Sequence, residues 1–321
     1  MGRYRIILFF LFFSPNIIWG QLEINVLDFG ATGDGVSDNW ESIQKAIDYV
    51  LSRGGGVVFV PKGEYVIKDR TLVIWGSNLS IVGDLSGETK IIRIGTPGWW
   101  GELLSISGKI NGAKYYGGFG ELDYKRFLIY KGENIPSINI NIDNISFVNK
   151  LKYPLSSNNI GIVNSQNVVI KNSVIANAPK SNIAIVNDTD RYKNENVNLI
   201  GCIFKDSNQH NIRVISYNQG AIKGNSVNII DCRFINVKKK DRTKELKGER
   251  VHLWYRAGLG SDNISVNVEN CFFDKTGSFV STINADRVFI KDSYIMRSLI
   301  INVRREFANQ SVILRDNTFR L

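Results

Sequence analysis

One eight-residue pattern occurs seven times from residue 140 onward. The copies are INIDNISF (140–147), VVIKNSVI (168–175), VNLIGCIF (197–204), VNIIDCRF (227–234), VNVENCFF (266–273), VFIKDSYI (288–295) and VILRDNTF (312–319). The first and third residues are apolar, the fifth is always Asp, Asn or Gly, and the eighth is Phe or Ile. Alternation with period two puts the first and third side chains on one face of a strand. The next inward positions, the sixth and eighth, follow after an odd step. A sharp bend at the fifth residue accounts for the change of phase, because Asp, Asn and Gly tolerate positive φ. Each copy is therefore two short strands joined by a corner. Successive copies start 22 to 39 residues apart, a period that marks a solenoid.

A third apolar run follows most copies: IAIV (183–186), IRVI (212–215), LWY (253–255), FVSTI (279–283) and LIINV (299–303). Three strands per coil, coil upon coil, make a parallel β-helix. One coil cannot bury its inner face alone, so the core exists only as a stack. Neighbouring coils lie about 4.8 Å apart, and residues at the sixth position should form an interior ladder containing Cys202, Cys232 and Cys271. Three cysteines cannot all pair within one chain, and buried thiols are expected rather than a bridge.

The chain is long enough for two domains at 321 residues, but the repeat occupies 140–321 and argues for one solenoid over 21–321, with a cap region at 21–67. Met1 to Gly20 reads as a secretory signal: Arg3 and Arg5 precede the apolar run Ile6–Phe13, which is too short to span a bilayer. A secreted protein, extracellular or periplasmic, is expected, with no membrane segment beyond this leader. The formal charge is +10, of which the leader's arginines supply two. That excess favours an anionic partner, and no nucleic-acid-binding motif accompanies it.

The segment before the repeats begins INVLDFGATGDGVSDNWESIQKAIDYVLSRGGGVVFVPKGEYVI (24–67). Leu27 and Phe29 suggest a short strand, and Gly30, Gly33 and Gly35 suggest tight turns. Asp38 and Glu41 have the spacing of a capping box. Trp40, Ile43, Ile47, Val50 and Leu51 share one helical face, and Gly54 is a natural stop. One helix before a β-solenoid reads as an end cap. DFGATGDGVSDNWESIQKAID followed by GGGVVFVPKGEYVI resembles the N-terminal signature of the pectate lyase superfamily of right-handed β-helices. That group includes rhamnogalacturonase- and polygalacturonase-like enzymes and epimerase-related proteins. The resemblance implies a right-handed coil and a secreted protein that acts on or binds polysaccharide, commonly an acidic one. Asp34 and Asp38 lie inside the signature, and turn and cap roles explain them. The Asn-Thr-Asp, Asp-Asp, Gly-His-Gly and Arg-Ile-Lys motifs of the polygalacturonase-like hydrolases are missing, with Asn187-Asp188-Thr189-Asp190 the nearest fragment.

Two insertions stand out. Residues 97–126 read as a loop in which Trp99, Trp100, Tyr115 and Tyr116 either stack on sugar rings or pack against one another. Residues 238–250, KKKDRTKELKGER, carry seven positive and three negative side chains and read as a solvated basic loop. Both histidines, His210 and His252, fall on the third strand of adjacent coils. If Ile212 and Val214 face inward, Asn211 and Arg213 face outward. If Leu253 and Tyr255 face inward, His252, Trp254 and Arg256 face outward, and Arg304 joins them from a later coil. A one-residue slip would reverse the faces at 252.

That strip suits β-elimination from a uronate glycan. Elimination needs a base for the C5 proton and positive charge for the carboxylate beside it. His210 or His252 would be base or acid, Arg213 and Arg256 would bind the carboxylate, and Trp254, Asn211 and Arg304 would hold the sugar. Calcium is a possible cofactor, with Asp188 and Asp190 a weak site; no other cofactor and no dedicated metal site is expected. A glycoside hydrolase of the same fold using paired aspartates, among them Asp188, Asp190 and Asp206, is one alternative. A non-catalytic carbohydrate-binding or adhesion protein is another. A monomer with an anionic polysaccharide as its partner is the expected assembly.

Overall fold

The computed structural model describes residues 22–95, 101–116, 127–151, 157–187, 194–207, 210–216, 225–235, 250–252, 264–274, 287–295 and 311–320. They form a right-handed parallel β-helix with three sheets running along it. Among the described residues the first sheet has ten strands, from Glu23–Asn25 to Ser311–Arg315, and the second ten, from Asp34–Asp38 to Thr318–Phe319. The third has six described strands: Leu72–Ile74, Leu104–Ile106, Ile160–Val163, Ser181–Asn187, His210–Ser216 and Arg250–His252.

The corner between the first and second sheets forms as the repeat predicts. Asn144, Asn172, Gly201, Asp231, Asn270, Asp292 and Asp316, the fifth residues of the seven copies, all have φ between 49 and 61°. A left-handed residue turns the chain sharply, and Asn, Asp and Gly pay least for it. The bend brings the sixth residue inward, and in every copy but the first, where it is Ile145, its polar group meets backbone of a neighbouring coil. Cys202, Cys232 and Cys271 are buried free thiols. Their Sγ atoms lie 3.3, 3.4 and 3.4 Å from the carbonyls of Ile170, Leu199 and Ile229. Burial and the adjoining thiols push the Cys232 thiol up, with its neighbours the larger cause. The eighth residues stack next to them: Phe204 on Phe234 at 5.0 Å, and Phe234 on Phe273 at 4.5 Å. One continuous apolar core results.

The helix Trp40–Leu51 covers the first coil. Its Trp40, Ile43, Ile47, Val50 and Leu51 are buried. It is also fastened to the first third-sheet strand by polar contacts. Gln44 donates to the Val73 carbonyl and accepts from the Val73 N–H, at 2.9 and 2.8 Å. Trp40 Nε1 donates to the Thr71 carbonyl, and Trp75 Nε1 to Asp48. Two local expectations are corrected here. Asn39, not Asp38, is the N-cap residue; Asp38 instead accepts the N–H groups of Trp40 and Lys68. Val26–Phe29 is a 3-10 turn, not a strand, because Asn25 accepts the Leu27 N–H and Gly30 closes it with φ 88°. Asp34 accepts from Val36 and Ser37, a turn role, and the Ser37 hydrogen bonds hold its carboxyl well below the usual range.

The insertion at 97–126 also reads differently. Leu104–Ile106 inside it is a strand of the third sheet, and Lys114–Tyr116 pairs antiparallel with Phe127–Ile129 as a hairpin on the coil. At the far end no described coil covers the last one, so Leu314 and Phe319, in rows that are buried in every earlier copy, are 45% and 48% exposed.

Candidate functional site

The register of the third sheet sorts its residues into rows. Leu72, Leu104, Ile160, Ile183 and Ile212 form one buried row, and Ile74, Ile106, Ile162, Ile185 and Val214 another. The row between them, Val73, Ser105, Gly161, Ala184 and Arg213, lies on the outer face. It is built of small residues until it reaches Arg213.

Three charged groups gather over that floor. Glu102, two residues before its strand, is held by its backbone: Thr71 Oγ1 donates to its carbonyl at 2.7 Å, and the next N–H, of Leu103, donates to the Asn158 carbonyl. Its side chain then runs across to the next coil. Asn158 Nδ2 donates to Oε1 at 3.4 Å, and a Cβ placed on Gly161 would stand 2.7 Å from the Glu102 Cδ. Glycine at 161 thus makes room for this carboxyl. Lys180 immediately precedes the strand Ser181–Asn187, and its N–H donates to the Ser157 carbonyl at 3.0 Å. Arg213 stands on the following coil, half-buried.

Lys180 is coupled electrostatically to each of the other two. Burial pushes the Glu102 carboxyl up from its ordinary value, against the Asn158 hydrogen bond and the charges of Arg93 and Lys180. Burial and then the Arg213 charge push the Lys180 ammonium down, against the pull of Glu102. A raised carboxyl and a lowered amine are both shifted in the direction in which enzymes tune a general acid and a general base. Behind them Arg93 is fully buried; it donates to the Gly101 carbonyl at 2.5 Å, and burial pushes it down to about 10.

The residues expected from sequence distribute unevenly. Arg213 is on the outer face between buried Ile212 and Val214. Asn211 is not: it is buried in a ladder, its Oδ1 accepting from Asn182 Nδ2 at 2.8 Å, while Asn182 accepts from Asn159 at 3.0 Å. This corrects the outward reading, and the reason is that the strand is still turning the corner at 211. The histidines do not share a row. His210 pairs with Ser181 and Arg250, whereas His252 pairs with Arg213, after a register shift. Only the backbone of both is described, as for Tyr115 and Tyr116 on the hairpin. Trp99, Trp100, Trp254, Arg256 and Arg304, with Asp188 and Asp190, lie outside the described residues, as does most of the basic loop. Among the described residues no group of three or more His, Cys, Asp or Glu side chains could hold a metal ion. Glu102 and Lys180 escaped the sequence reading. Their available signal is position, one or two residues before a third-sheet strand.

Comparison with known proteins extends this picture. Residues 23–243 match the family described as rhamnogalacturonase A/epimerase, pectate lyase-like. Alginate lyase 7 of Azotobacter vinelandii is 43% identical over 99 residues, 29% of this chain and 11% of that protein. Mannuronan C5-epimerase AlgE2 of the same organism is 46% identical over 91 residues, 26% of this chain and 9% of that protein. The chain therefore spans only a small part of the curated relatives it matches. Among solved structures, the tailspike protein of Escherichia coli bacteriophage HK620, in complex with a pentasaccharide, superposes with a TM-score of 0.52 at 14% identity. That match covers 92% of this chain and 57% of the tailspike.

Proposed function

The chain belongs to the rhamnogalacturonase A/epimerase, pectate lyase-like family, and on that premise we propose that it acts on a uronate-containing polysaccharide by removing the proton at C5. The observation that carries this reading is the meeting of Glu102, Lys180 and Arg213 on the outer face of the third sheet. A C5 proton is acidic only because the adjoining carboxylate can take up the charge, so a cation there is needed first. Arg213 fits that role through its planar fork. Lys180, its ammonium destabilised by burial and by Arg213, is suited to be the base. Glu102, its carboxyl raised by burial, is suited to be the acid.

In elimination the C5–H bond breaks to Lys180 Nζ and its electrons pass into the carboxylate held by Arg213. They return to form the C4–C5 double bond as the C4–O bond breaks, its pair leaves on the oxygen, and that oxygen takes the proton of Glu102. In the second reading Lys180 keeps the abstracted proton, C5 takes another from solvent water on the opposite face, and no bond of the chain is cut. Similarity to both an alginate lyase and mannuronan C5-epimerases favours keeping the two together, because they share the first step. His252, the register partner of Arg213, is the sequence-derived residue best suited to assist. Hydrolysis would require two carboxylates across a groove; Glu102 has Lys180 and Arg93 as charged neighbours instead. Export by the Met1–Gly20 leader belongs to the same proposal. No helix among the described residues is long and apolar enough to cross a membrane.

The test uses the full chain on a panel of uronate polysaccharides. Ultraviolet absorbance reports the unsaturated product of elimination, and deuterium uptake at C5 without chain scission reports epimerisation. Either signal should disappear in Lys180→Met. Reducing ends with neither signal would overturn the proposal in favour of hydrolysis, and binding without any product would leave a carbohydrate-binding protein.

A further inference from the structure

We propose that Arg93 is the positioning residue for Glu102: it holds the Gly101 carbonyl so that the Glu102 side chain reaches Asn158 and Gly161 on the outer face, and it sets a fixed positive charge behind that carboxyl. The inference rests on the acid role given to Glu102 above. Arg93 lies on the second-sheet strand Thr89–Ile94, in register with Ile67 on one side and Asn149 on the other. All three are buried. An arginine therefore occupies an interior row that begins with isoleucine, and the connection that follows its strand carries Gly101 and Glu102.

That connection is held from three coils. Arg93 Nη1 donates to the Gly101 carbonyl at 2.5 Å, and Ser157 Oγ, from the following coil, donates to the same oxygen at 2.6 Å. Thr71 Oγ1, from the preceding coil, donates to the Glu102 carbonyl at 2.7 Å. The Leu103 N–H donates to the Asn158 carbonyl at 3.2 Å. A Cβ placed on Gly101 would stand 2.8 Å from Arg93 Nη2 and 3.2 Å from Thr71 Oγ1. Glycine at 101 thus makes room for the guanidinium, as glycine at 161 makes room for the carboxyl.

The charge does more than the hydrogen bond requires. One donor suffices to hold one carbonyl, and a neutral amide would supply it. Nε and Nη2 of Arg93 have no hydrogen-bond partner among the described residues. A buried guanidinium is costly unless its charge is compensated. After burial itself, Glu102 is the larger influence on Arg93 and Asp69 the smaller. The influence runs both ways. Burial pushes the Glu102 carboxyl up, and the Asn158 hydrogen bond and the charges of Arg93 and Lys180 oppose it. Arg213 enters only through Lys180. Arg93 thus acts on the site from behind, without reaching its face.

The test follows the ionisation of Glu102 itself, by carbon NMR of the isotopically labelled full chain, with Glu102→Gln identifying the signal. Arg93→Gln keeps a donor for the Gly101 carbonyl and removes the charge, so the Glu102 pKa should rise by about one pH unit. Arg93→Lys keeps the charge and should leave the titration midpoint near that of the wild type. Gly101→Ala leaves Arg93 in the chain and meets only side-chain ends, at a residue whose φ is not positive. It should fold, displace the guanidinium and move both the chemical shift and the midpoint of Glu102. An unchanged midpoint in Arg93→Gln, or an unchanged Glu102 signal in Gly101→Ala, would reduce Arg93 to a loop anchor and overturn the proposal. Full turnover in Glu102→Gln, with the midpoint still shifted in Arg93→Gln, would sink the acid role of Glu102 and leave the hold of Arg93 upon it standing.

Discussion

Two kinds of corner occur among the described residues of this solenoid, and they are built on opposite terms. Between the first and second sheets the turn is a single left-handed residue, repeated seven times, with φ confined to a 12° range. Thiols, hydroxyls and rings line up behind it, and the Cys and Ser groups find backbone partners. Between the second and third sheets the connections vary in length. That corner holds a buried arginine, an asparagine ladder, orphaned polar atoms and a carboxyl and amine shifted in opposite directions. The repeated corner has its polar groups satisfied, and the irregular one holds the residues to which we assign the proposed chemistry. Burying polar groups incompletely costs free energy, and a stack of coils this regular can bear that cost in one place.

The contrast can be broken by substitutions that should move one property and leave the other. At the irregular corner, Lys180→Met should lower turnover of a uronate polysaccharide by ~10²-fold or more, with little change in the denaturant midpoint. At the repeated corner, Phe234→Ala should cost about 3–5 kcal/mol in equilibrium unfolding, because Phe234 is stacked between Phe204 and Phe273; activity per folded molecule should be retained. Gly161→Ala should push the Glu102 carboxyl off its seat and reduce turnover by up to ~10²-fold. Since φ at 161 is not positive, stability should barely change, and a large loss of stability there would erase the distinction between the corners. Asp231→Val, at φ 55°, should cost about 1–2 kcal/mol, measured by the same unfolding experiment.

The smallest expected effect concerns pH. Glu102 has a folded-state pKa above its ordinary value of 4.5, so folding favours its protonated form. The stability it contributes is fully present below the ordinary glutamate range and is lost as pH rises through the folded-state value. Glu102→Gln should therefore remove a decline in stability on going from acid towards neutral pH. Parallel pH profiles for mutant and wild type would place the carboxyl in an environment no different from water.

How far the sequence could be read follows the same division. The seven pivots, the thiol ladder and the buried first, third and eighth positions are local: each follows from a residue's own conformational preference and from period-two alternation. The outward Arg213 was legible because Ile212 and Val214 flank it. Asn211 misled, because alternation holds along a strand and not at its entrance, where the chain is still turning. Glu102 was hidden inside a segment whose glycines and aromatics suggested a loop, although Leu104–Ile106 pairs regularly with Leu72–Ile74 and Ile160–Val163.

By itself, then, the chain determined a parallel solenoid with a helical cap, since both depend on patterns within a few tens of residues. The approach of Glu102 to Asn158 and Lys180, and of Lys180 to Arg213, was decided only by stacking. Those residues come from separate coils, and their separation in space is set by how many residues each intervening loop consumes. No periodicity encodes loop length, whereas the hydrogen-bonded register between coils fixes it to the residue, and with it the site.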